Sequence, residues 1–506
     1  YRAEFLRIMG AGAAAAAMSN FTSVSQAMES LQQKKKQNNG LIEELSSTLE
    51  SQEAVVDKPI TAIVIGAGAR GRTYASYSEH FSKSLKIVGV ADVNKERKLH
   101  LKNKYNLSDE HCFNDWSEVF SIPKFADAVI IATPDNLHYH PCLKALEAGY
   151  DVLLEKPVAQ SVKECTDILK YAKKYNRIVG ICHVLRYAPY FMAMKKVLDA
   201  GMIGDIVSIQ HMECIRFHHM AHSYVRGNWK SARETTPIVI AKSCHDMDMM
   251  RWLVNKPCKS LSSYGGLTLF KRENAPAGST ERCLDCAVEA ECPYSAKRIY
   301  LKDRRYLYVF DIPDNERNDK KYASLIMDKL RTTDYGRCVF RCNNDQCDHF
   351  VTSMEFEGNI TGAFSMEAFT ATGGRLTCIM GTKGWLKGDM KKFEVTDFLT
   401  NKHSVWNQDI SSLPGYEGHA GGDFGIVKDF VLAVANQDAS YLTSSIDLSI
   451  ESHVMGYSGA PYLLEYISLY FLYMKSSESQ DDSSPNLTQT VCTVSVFGED
   501  IINTMD

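Results

Sequence analysis

A glycine-rich turn directly follows a run of apolar residues in this chain, and few folds accommodate that combination. Residues 61–72 read TAIVIGAGARGR, which places Gly66, Gly68 and Gly71 at the spacing GxGxxG. The first glycine permits a tight turn, the second lets the backbone approach a pyrophosphate, and the third lets the following helix pack closely on the strand. The N-terminus of that helix, with Arg70 in its first turn, offers N–H groups and a positive dipole end to phosphates. The segment therefore predicts a dinucleotide site.

A carboxylate ends the second apolar run. Residues 85–92 read LKIVGVAD and end in Asp92, which lies 21 residues after Gly71. A carboxylate at the end of the second strand is placed to bond both ribose hydroxyls of an adenosine, and it repels a 2′-phosphate. We therefore expect NAD as the cofactor in preference to NADP. The alternative for Asp92 is a solvated aspartate in a turn.

Strand and helix patterns alternate from residue 60 to residue 179. This alternation predicts βαβ units and a doubly wound parallel sheet, which is an α/β fold of the Rossmann type. One strand is predicted over 126–133 and another over 151–155, with a helix between them. Ligands bind outside the carboxyl ends of the strands in such sheets. The residues expected to contact the cofactor in these loops are Thr133, Pro134, Asn136, His138, Glu155 and Lys156.

The composition is that of a soluble globular protein. The 506 residues are 45% hydrophobic and 23% charged, with a formal net charge of −4. The length of the chain indicates two domains. The net charge gives no reason to expect nucleic acid as a partner. No apolar stretch reaches the roughly 18 residues that a membrane span needs, so no membrane association is expected. The 15 cysteines are scattered through apolar settings, which favours reduced thiols and a cytoplasmic location.

The two ends of the chain differ from its middle. Residues 1–57 combine a small-residue run with a polar stretch, and we expect a disordered or unassigned leader there. Residues 459–506 begin with an aromatic, apolar segment and continue with serine and acidic residues. This second segment is expected to be a divergent tail, and no function is attached to it.

Several short motifs together resemble the Gfo/Idh/MocA oxidoreductase family across roughly residues 58–458. The motifs are GAGARG at 66–71, ATPDNLH at 132–138, EKP at 155–157, GMIGDI at 201–206, HDMD at 245–248 and HAGGDF at 419–424. The resemblance implies a Rossmann domain over 58–180 and an α+β domain over 181–458. In the family, the open antiparallel sheet of the second domain supports the substrate site and often a homo-oligomer interface. The resemblance also implies a small sugar or polyol as the substrate.

Oxidation of a sugar hydroxyl by NAD needs a base, because the hydroxyl loses its proton as the hydride leaves. Lys156, held at the end of a strand by Pro157, is the candidate, since burial and a neighbouring nicotinium charge disfavour its ammonium form. Relatives often carry an aspartate four residues before an assisting histidine; here His245 matches the histidine, and Ala241 replaces the aspartate. His245 is expected to relay a proton or to bind a hydroxyl, and the alternative is a core histidine.

These residues favour an NAD(P)-dependent oxidoreductase that acts on a CH–OH group of a sugar or polyol. The loss of an aspartate at Ala241 also suits an NAD-dependent glycosidase or lyase that oxidises its sugar transiently. A third interpretation is a non-catalytic regulator that kept the dinucleotide-binding fold. The presence of Lys156 argues against the regulator.

Polar and aromatic residues are concentrated on the expected substrate side of the cofactor. Imidazole, guanidinium and aromatic groups together suit sugar hydroxyls, carboxylates and C–H faces. The alternative is a loop that only covers the sheet. A metal held by His219 and His222 is disfavoured, because no carboxylate accompanies them at a fixed spacing. The candidates for substrate contacts are His183, Arg186, Tyr187, His219, His222, Tyr224, Arg226 and Lys242.

A cysteine-rich insert lies near residues 275–350. Three thiolates from its first group and a fourth from its second group would suit a structural zinc ion. The spacing lacks the paired CxxC motifs of a firm zinc site, so free, partly buried thiols are the default prediction and no metal is assigned. The cysteines concerned are Cys283, Cys286 and Cys292, followed by Cys338, Cys342 and Cys347.

Overall fold

Two sheets and their covering helices make up the part of the chain that the computed structural model describes, which is residues 40–310, 319–416, 418–458 and 492–495. The first sheet has six parallel strands in the order β3-β2-β1-β4-β5-β6, which confirms the predicted Rossmann fold. The order reverses between β1 and β4, and this reversal opens a crevice at their carboxyl ends. The strands are β1 (Ile60–Ile65), β2 (Leu85–Ala91), β3 (Cys112–Phe113), β4 (Ala128–Ile131), β5 (Asp151–Leu154) and β6 (Val179–Ile181).

The helices of this first unit begin in two different ways. The side chain of Asn94 caps one helix by accepting from the N–H groups of Glu96 and Arg97, whereas Gly68 precedes the first helix without any side-chain cap. The first N–H groups of that helix are therefore left for a ligand. The helices are α1 (Ala69–His80), α2 (Lys95–Tyr105), α3 (Trp116–Val119), α4 (Tyr139–Glu147) and α5 (Val162–Tyr175).

The second sheet is mixed. It runs β14-β13-β12-β11-β7-β10-β9-β8-β15, and only the β7–β10 pair among these described strands is parallel. The expected open antiparallel sheet is thus mostly antiparallel, with one parallel pair. The edge strand Cys492–Ser495 belongs to the segment that was expected to be a divergent tail. The strands are β7 (Ile206–Cys214), β8 (Cys258–Gly266), β9 (His349–Phe356), β10 (Ile360–Glu367), β11 (Gly374–Gly381), β12 (Gly384–Gly388), β13 (Lys392–Asp397), β14 (His403–Asn407) and β15 (Cys492–Ser495).

Helix Gly422–Asn436, late in the described residues, returns to the first sheet. Phe430 and Val431 in the helix Gly422–Asn436 pack in the same buried cluster as Val64 of β1. The expected boundary at residue 180 therefore does not separate two independent cores. No helix within the described residues is long and apolar enough to cross a membrane. The helices after β6 are α6 (Pro189–Asp199), α7 (Phe217–His219), α8 (Ile238–Ala241), α9 (Cys244–Val254), α10 (Asp319–Thr332), α11 (Gly422–Asn436) and α12 (Ile446–Ser458).

Part of the expected leader is an ordered strap. Residues 40–47 form a helix, and Ile42 within it is 2% exposed. Further along, the side chain of Gln52 donates to the carbonyl of Gly421 at 2.7 Å, and Tyr77 donates to the carbonyl of Gln52 at 2.7 Å. The prediction of a disordered leader is wrong for residues 40–57, because apolar side chains spaced through a polar stretch are buried against both sheets. Residues 1–39 lie outside the described residues.

Candidate active site

The glycine turn has the geometry that a dinucleotide loop needs. Gly66 has a φ of +91°, and a Cβ added there would lie 2.6 Å from the carbonyl oxygen of Ala132. A Cβ on Gly71 would collide with the carbonyl oxygen of Gly66, so α1 can approach β1 only because Gly71 has no side chain. A Cβ on Gly68, in contrast, would meet nothing within 4 Å. The open space above Gly68, next to the uncapped start of α1, fits a pyrophosphate.

Asp92 lies beside this turn at the end of β2. Its Oδ2 accepts from the N–H of Ala67 at 2.6 Å, and its Oδ1 accepts from the N–H of Asn94 at 2.7 Å. The two bonds aim the carboxylate at the crevice, and each oxygen keeps a lone pair for a hydroxyl. The partly exposed carboxylate therefore fits the predicted ribose contact.

The loop after β4 presents two kinds of residue. Pro134 and Asn136 are exposed at the rim of the crevice. His138 is buried instead, with Nδ1 2.7 Å from the carbonyl of Pro157 and Nε2 3.0 Å from the carbonyl of Thr133. The expected direct cofactor contact of His138 is therefore replaced by a bridge between two loops, because both ring nitrogens already face backbone oxygens. Thr133 remains partly exposed at the cofactor side.

Arg70 joins three parts of the molecule. From α1, its Nε donates to Glu155 at 2.6 Å, and one terminal nitrogen donates to Asp423 of α11 at 2.6 Å. Tyr74, one turn further along α1, donates to the same oxygen of Glu155 at 2.8 Å. Arg70 was expected to contact the cofactor, and its guanidinium is instead committed to two carboxylates. We call Arg70, Glu155 and Asp423 the arginine clamp.

Both carboxylates of the arginine clamp are ionised. Burial raises the pKa of Glu155, but Arg70 and Lys156 lower it by more, so the net pKa lies below the usual range. Burial likewise raises the pKa of Asp423, and His419 together with Arg70 brings it well below the usual range. Two buried anions around one guanidinium favour a single, well-defined geometry at the catalytic loop.

Lys156 follows the arginine clamp directly in sequence. Its backbone N–H donates to Glu155 at 2.7 Å, and its Nζ donates to the backbone carbonyl of Ala241 at 2.6 Å. The position where relatives often carry an aspartate thus contributes only a carbonyl oxygen. A carbonyl accepts from an amine and from an ammonium alike, whereas an aspartate would favour the ammonium form.

Four histidines lie together behind Lys156. The ring centroids of His183 and His245 are 6.0 Å apart, those of His183 and His453 are 5.2 Å apart, and those of His245 and His419 are 5.9 Å apart. Burial lowers the pKa of His183 to about 3, and burial followed by the charge of Lys156 lowers the pKa of His245 well below its ordinary value. These imidazoles are therefore neutral, and each offers one N–H donor and one acceptor nitrogen.

His183 lies too deep for the expected substrate contact. Neither of its ring nitrogens has a hydrogen-bond partner, and its side chain is 1% exposed. Arg186 is committed to Asp248 by two bonds of 2.7 Å, and the hydroxyl of Tyr187 meets that of Ser444 at 2.9 Å. His183, Arg186 and Tyr187, the substrate ligands predicted after β6, are therefore interior residues. The guanidinium of Arg186 lies in the interior because it is paired with Asp248.

Three expected substrate residues, Lys242, His219 and Tyr224, remain together at the cleft. Lys242 is 19% exposed and lies 2.9 Å from Glu213, and its charge contributes to the lowered pKa of His219, whose main cause is burial. Tyr224 is buried beside them, with its ring centroid 6.1 Å from that of His219. Arg375, below Lys242, also bonds Glu213 at 2.8 Å.

The other two expected substrate residues, His222 and Arg226, pack against the cysteine-rich insert. Arg226 is 2% exposed and donates to the carbonyls of Arg337 and Tyr294 at 2.7 and 2.8 Å. The ring of His222 stacks on Tyr306 with centroids 4.1 Å apart. The guanidinium of Arg226 and the ring of His222 thus contact residues of the insert, so these contacts replace the expected substrate contacts.

The thiols of the insert remain separate groups. No described cysteine side chain forms a disulfide. Burial raises the pKa of Cys292, Cys338 and Cys342, which disfavours their thiolates. Within the described ranges, no group of three or more His, Cys, Asp or Glu side chains is arranged to hold a metal ion.

Sequence reasoning missed the roles of two residues in the HAGGDF motif. His419 and Asp423 are four positions apart, and His419 Nδ1 lies 3.0 Å from Asp423 Oδ1. The spacing of one helical turn at the start of α11 was the available signal. The connection of Asp423 to Arg70, 353 positions away in sequence, had no sequence signal.

Comparison with known proteins agrees with this geometry. The profile described as an oxidoreductase family with an NAD-binding Rossmann fold matches residues 60–183, and the profile of that family's C-terminal alpha/beta domain matches residues 195–445. The chain belongs to the Gfo/Idh/MocA oxidoreductase family. It is thus an NAD-binding oxidoreductase, and the predictions of the family, of an oxidoreductase and of NAD as cofactor are confirmed.

Several of the similar proteins are dehydrogenases and oxidoreductases. The putative oxidoreductase YteT of Bacillus subtilis is 24% identical over 73% of this chain and 88% of its own length. Inositol 2-dehydrogenase of Acidothermus cellulolyticus is 26% identical over 44% of this chain and 60% of its own length. An inositol dehydrogenase homolog of Azotobacter vinelandii complexed with NAD⁺ superimposes with a TM-score of 0.57, at 16% identity, over 80% of this chain and 96% of its own.

The open space above Gly68 yields a direct test of the cofactor position. Gly68 has φ −69° and ψ −165°, which alanine also adopts, so Gly68→Ala should leave the melting temperature unchanged. The added methyl group should obstruct the pyrophosphate and weaken NAD binding by about tenfold, or about 1.4 kcal/mol. Thermal melting and titration with NAD measure the two effects.

Gly71→Ala is the contrasting variant, because its methyl group collides with the turn itself. It should lower the melting temperature. An unchanged NAD affinity for Gly68→Ala would place the pyrophosphate elsewhere.

Proposed function

We propose that the enzyme oxidises a hydroxyl of a sugar or polyol, with Lys156 as the base that receives the hydroxyl proton. The observation that carries this proposal is the contact of Lys156 Nζ with a neutral carbonyl, that of Ala241, at 2.6 Å. The carbonyl is a neutral acceptor, so this contact holds Nζ in place without an ion pair to a carboxylate. The arginine clamp keeps Lys156 beside the glycine turn through Glu155.

Bound NAD⁺ supplies the hydride acceptor. As the substrate C–H bond breaks, its electron pair leaves with the hydride, and the O–H proton passes to Lys156 while the carbonyl forms. His245, neutral because of its burial, assists by accepting a proton or a hydroxyl hydrogen bond. Asp92 holds the adenosine ribose and repels a 2′-phosphate, which favours NAD over NADP.

The substrate class follows from the groups left at the cleft. His219 and Lys242 offer donors to hydroxyls, and the aromatic face of Tyr224 lies beside them. Such a mixture suits a polyhydroxylated ring. The activity named for the relative from Acidothermus cellulolyticus, inositol 2-dehydrogenase, acts on a substrate of this kind.

A second candidate function rests on the same alanine. An NAD-dependent glycosidase or lyase oxidises its sugar transiently, removes a proton next to the new carbonyl, expels the leaving group and returns the hydride. The extra neutral imidazoles of His245 and His419 suit the additional proton transfers. Release of an aryl leaving group that depends on NAD, without net NADH, would identify this activity.

We further propose that the outer face of the second sheet joins two copies of the chain. Val351, Leu376 and Val405 are 42%, 50% and 50% exposed on that face. They line a groove of about 630 Å³, mostly apolar, that is remote from Lys156. An apolar face of this kind favours a protein interface.

The unpaired thiols of the described cysteines favour a reducing location, the cytoplasm.

Replacement of the proposed base should remove turnover and leave cofactor binding intact. Lys156→Met should lower kcat by about 10²- to 10⁴-fold, the usual contribution of a general base, with little change in NAD affinity. Absorbance of NADH at 340 nm, with a panel of sugars and polyols, measures the rate. Lys144→Met is the matched control, because Lys144 is 58% exposed on α4. Full turnover by Lys156→Met would contradict the assignment.

Charge on the outer sheet face should separate the copies. The unmodified protein should elute as a dimer or a larger oligomer, and Leu376→Glu should reduce the mass that light scattering detects to that of one chain. Leu448→Glu is the control, since Leu448 is 53% exposed on α12. A single-chain mass for the unmodified protein would exclude this interface.

A further inference from the structure

We propose that His419, oriented by Asp423, is the outlet through which the proton taken up at Lys156 reaches solvent. The proposal rests on the proposed function, because it concerns the proton that oxidation releases. It assigns a role to two residues of the HAGGDF motif that the hydride transfer itself does not need. His419 would be a second proton-transfer group, and Asp423 would be its positioning residue.

The geometry fixes which nitrogen of His419 is basic. Nδ1 lies 3.0 and 3.2 Å from the two carboxylate oxygens of Asp423. Because Asp423 is ionised, Nδ1 keeps its proton and donates, and Nε2 carries the lone pair. Asp423 is itself fully buried and held by Arg70 at 2.6 Å. The imidazole is therefore held in one tautomer by a partner that cannot turn away.

His419 also lies on the way from the buried site to water. Its side chain is 32% exposed, whereas His245 is 3% exposed. The centroids of the two rings are 5.9 Å apart, and the proposed route places one bridging water molecule between their nitrogens. Nζ of Lys156 is bonded to the carbonyl of Ala241, four residues before His245, and its charge acts on the His245 ring. The three groups thus form a series from the partly buried amine to the surface.

A route of this kind is needed once the cleft is filled. Bound cofactor and substrate exclude water from the reacting centre, so Lys156 cannot exchange its proton with bulk solvent directly. In the proposed route, an N–H bond of the Lys156 ammonium breaks and the proton passes through His245 and the bridging water to Nε2 of His419. The resulting imidazolium, stabilised by Asp423, then gives the proton to solvent water. No oxidant or further reactant takes part.

The charges around His419 suit transient protonation. Asp423 of α11, Arg70 of α1, Lys242 after α8 and His245 of α9 face its ring. Burial is the largest influence and lowers its pKa, Asp423 opposes this, and Arg70 and Lys242 act with burial, so the net pKa lies below the ordinary value. The ring is therefore neutral at pH 7, and Asp423 offsets part of the cost of its transient protonation.

Chemical rescue of the complete enzyme tests the outlet. His419→Ala should lower kcat by about 100-fold at pH 7 in dilute buffer, with NAD affinity and KM nearly unchanged. Added imidazole should restore kcat in proportion to its concentration, because the lost side chain was partly open to solvent. His140→Ala, on the exposed surface of α4, should match the unmodified enzyme with and without imidazole.

The outcomes separate the two proposals. Suppose that the unmodified enzyme is active. If His419→Ala then keeps full kcat, or loses kcat and is not rescued by imidazole, the outlet is overturned and the oxidoreductase proposal stays intact. A fall in melting temperature or NAD affinity that accounts for the whole loss shows a purely structural role and also overturns it. An unmodified enzyme that reduces no NAD with any polyol overturns both proposals.

Discussion

The ion pairs of Arg70 hold the site together. One guanidinium connects the helix behind the glycine turn, the carboxylate before Lys156 and the first turn of a helix contributed by the end of the chain. Removal of one partner from a buried ion pair generally costs about 3–5 kcal/mol, because the remaining charge stays buried. The relative positions of the cofactor turn, the catalytic loop and α11 therefore depend on both ion pairs of Arg70. The strap of residues 40–57 supports this arrangement from outside, through the bond from Gln52 to Gly421.

The second physical feature is the low polarity around the proton-transfer groups. His183, His245 and His453 are buried, so their neutral forms are favoured over imidazolium. Lys156 faces the backbone carbonyl of Ala241. The groups that can transfer the proton are thus buried imidazoles and Lys156. The carboxylates of Glu155 and Asp248 are already paired with Arg70 and Arg186. This makes a route to solvent important for turnover.

The sequence predicted the part of the molecule whose signals are local. The glycine spacing, the strand that ends in Asp92 and the EKP motif predicted the first sheet and the cofactor crevice, because each motif acts through backbone geometry nearby in sequence. The substrate side was predicted less well. Arg186 and Arg226 have the composition of sugar ligands, yet Asp248 and the carbonyls of the insert bind them in the interior. Those partners are tens to more than a hundred residues away, as is Asp423 from Arg70, and a single sequence carries no record of such pairings. The ordered strap was missed for the same reason, since Ile42 is buried by residues of the distant second sheet.

Transfer of deuterium from substrate to cofactor tests the central claim most directly. The enzyme would be incubated with NAD⁺ and polyols that carry deuterium at the carbinol carbons, and the reduced cofactor would be analysed by mass spectrometry. We expect the reduced cofactor to gain one deuterium, because the hydride moves directly from carbon to the nicotinamide while the hydroxyl proton leaves by a separate route. Reduced cofactor without deuterium, or no reduced cofactor with any polyol, would contradict the account.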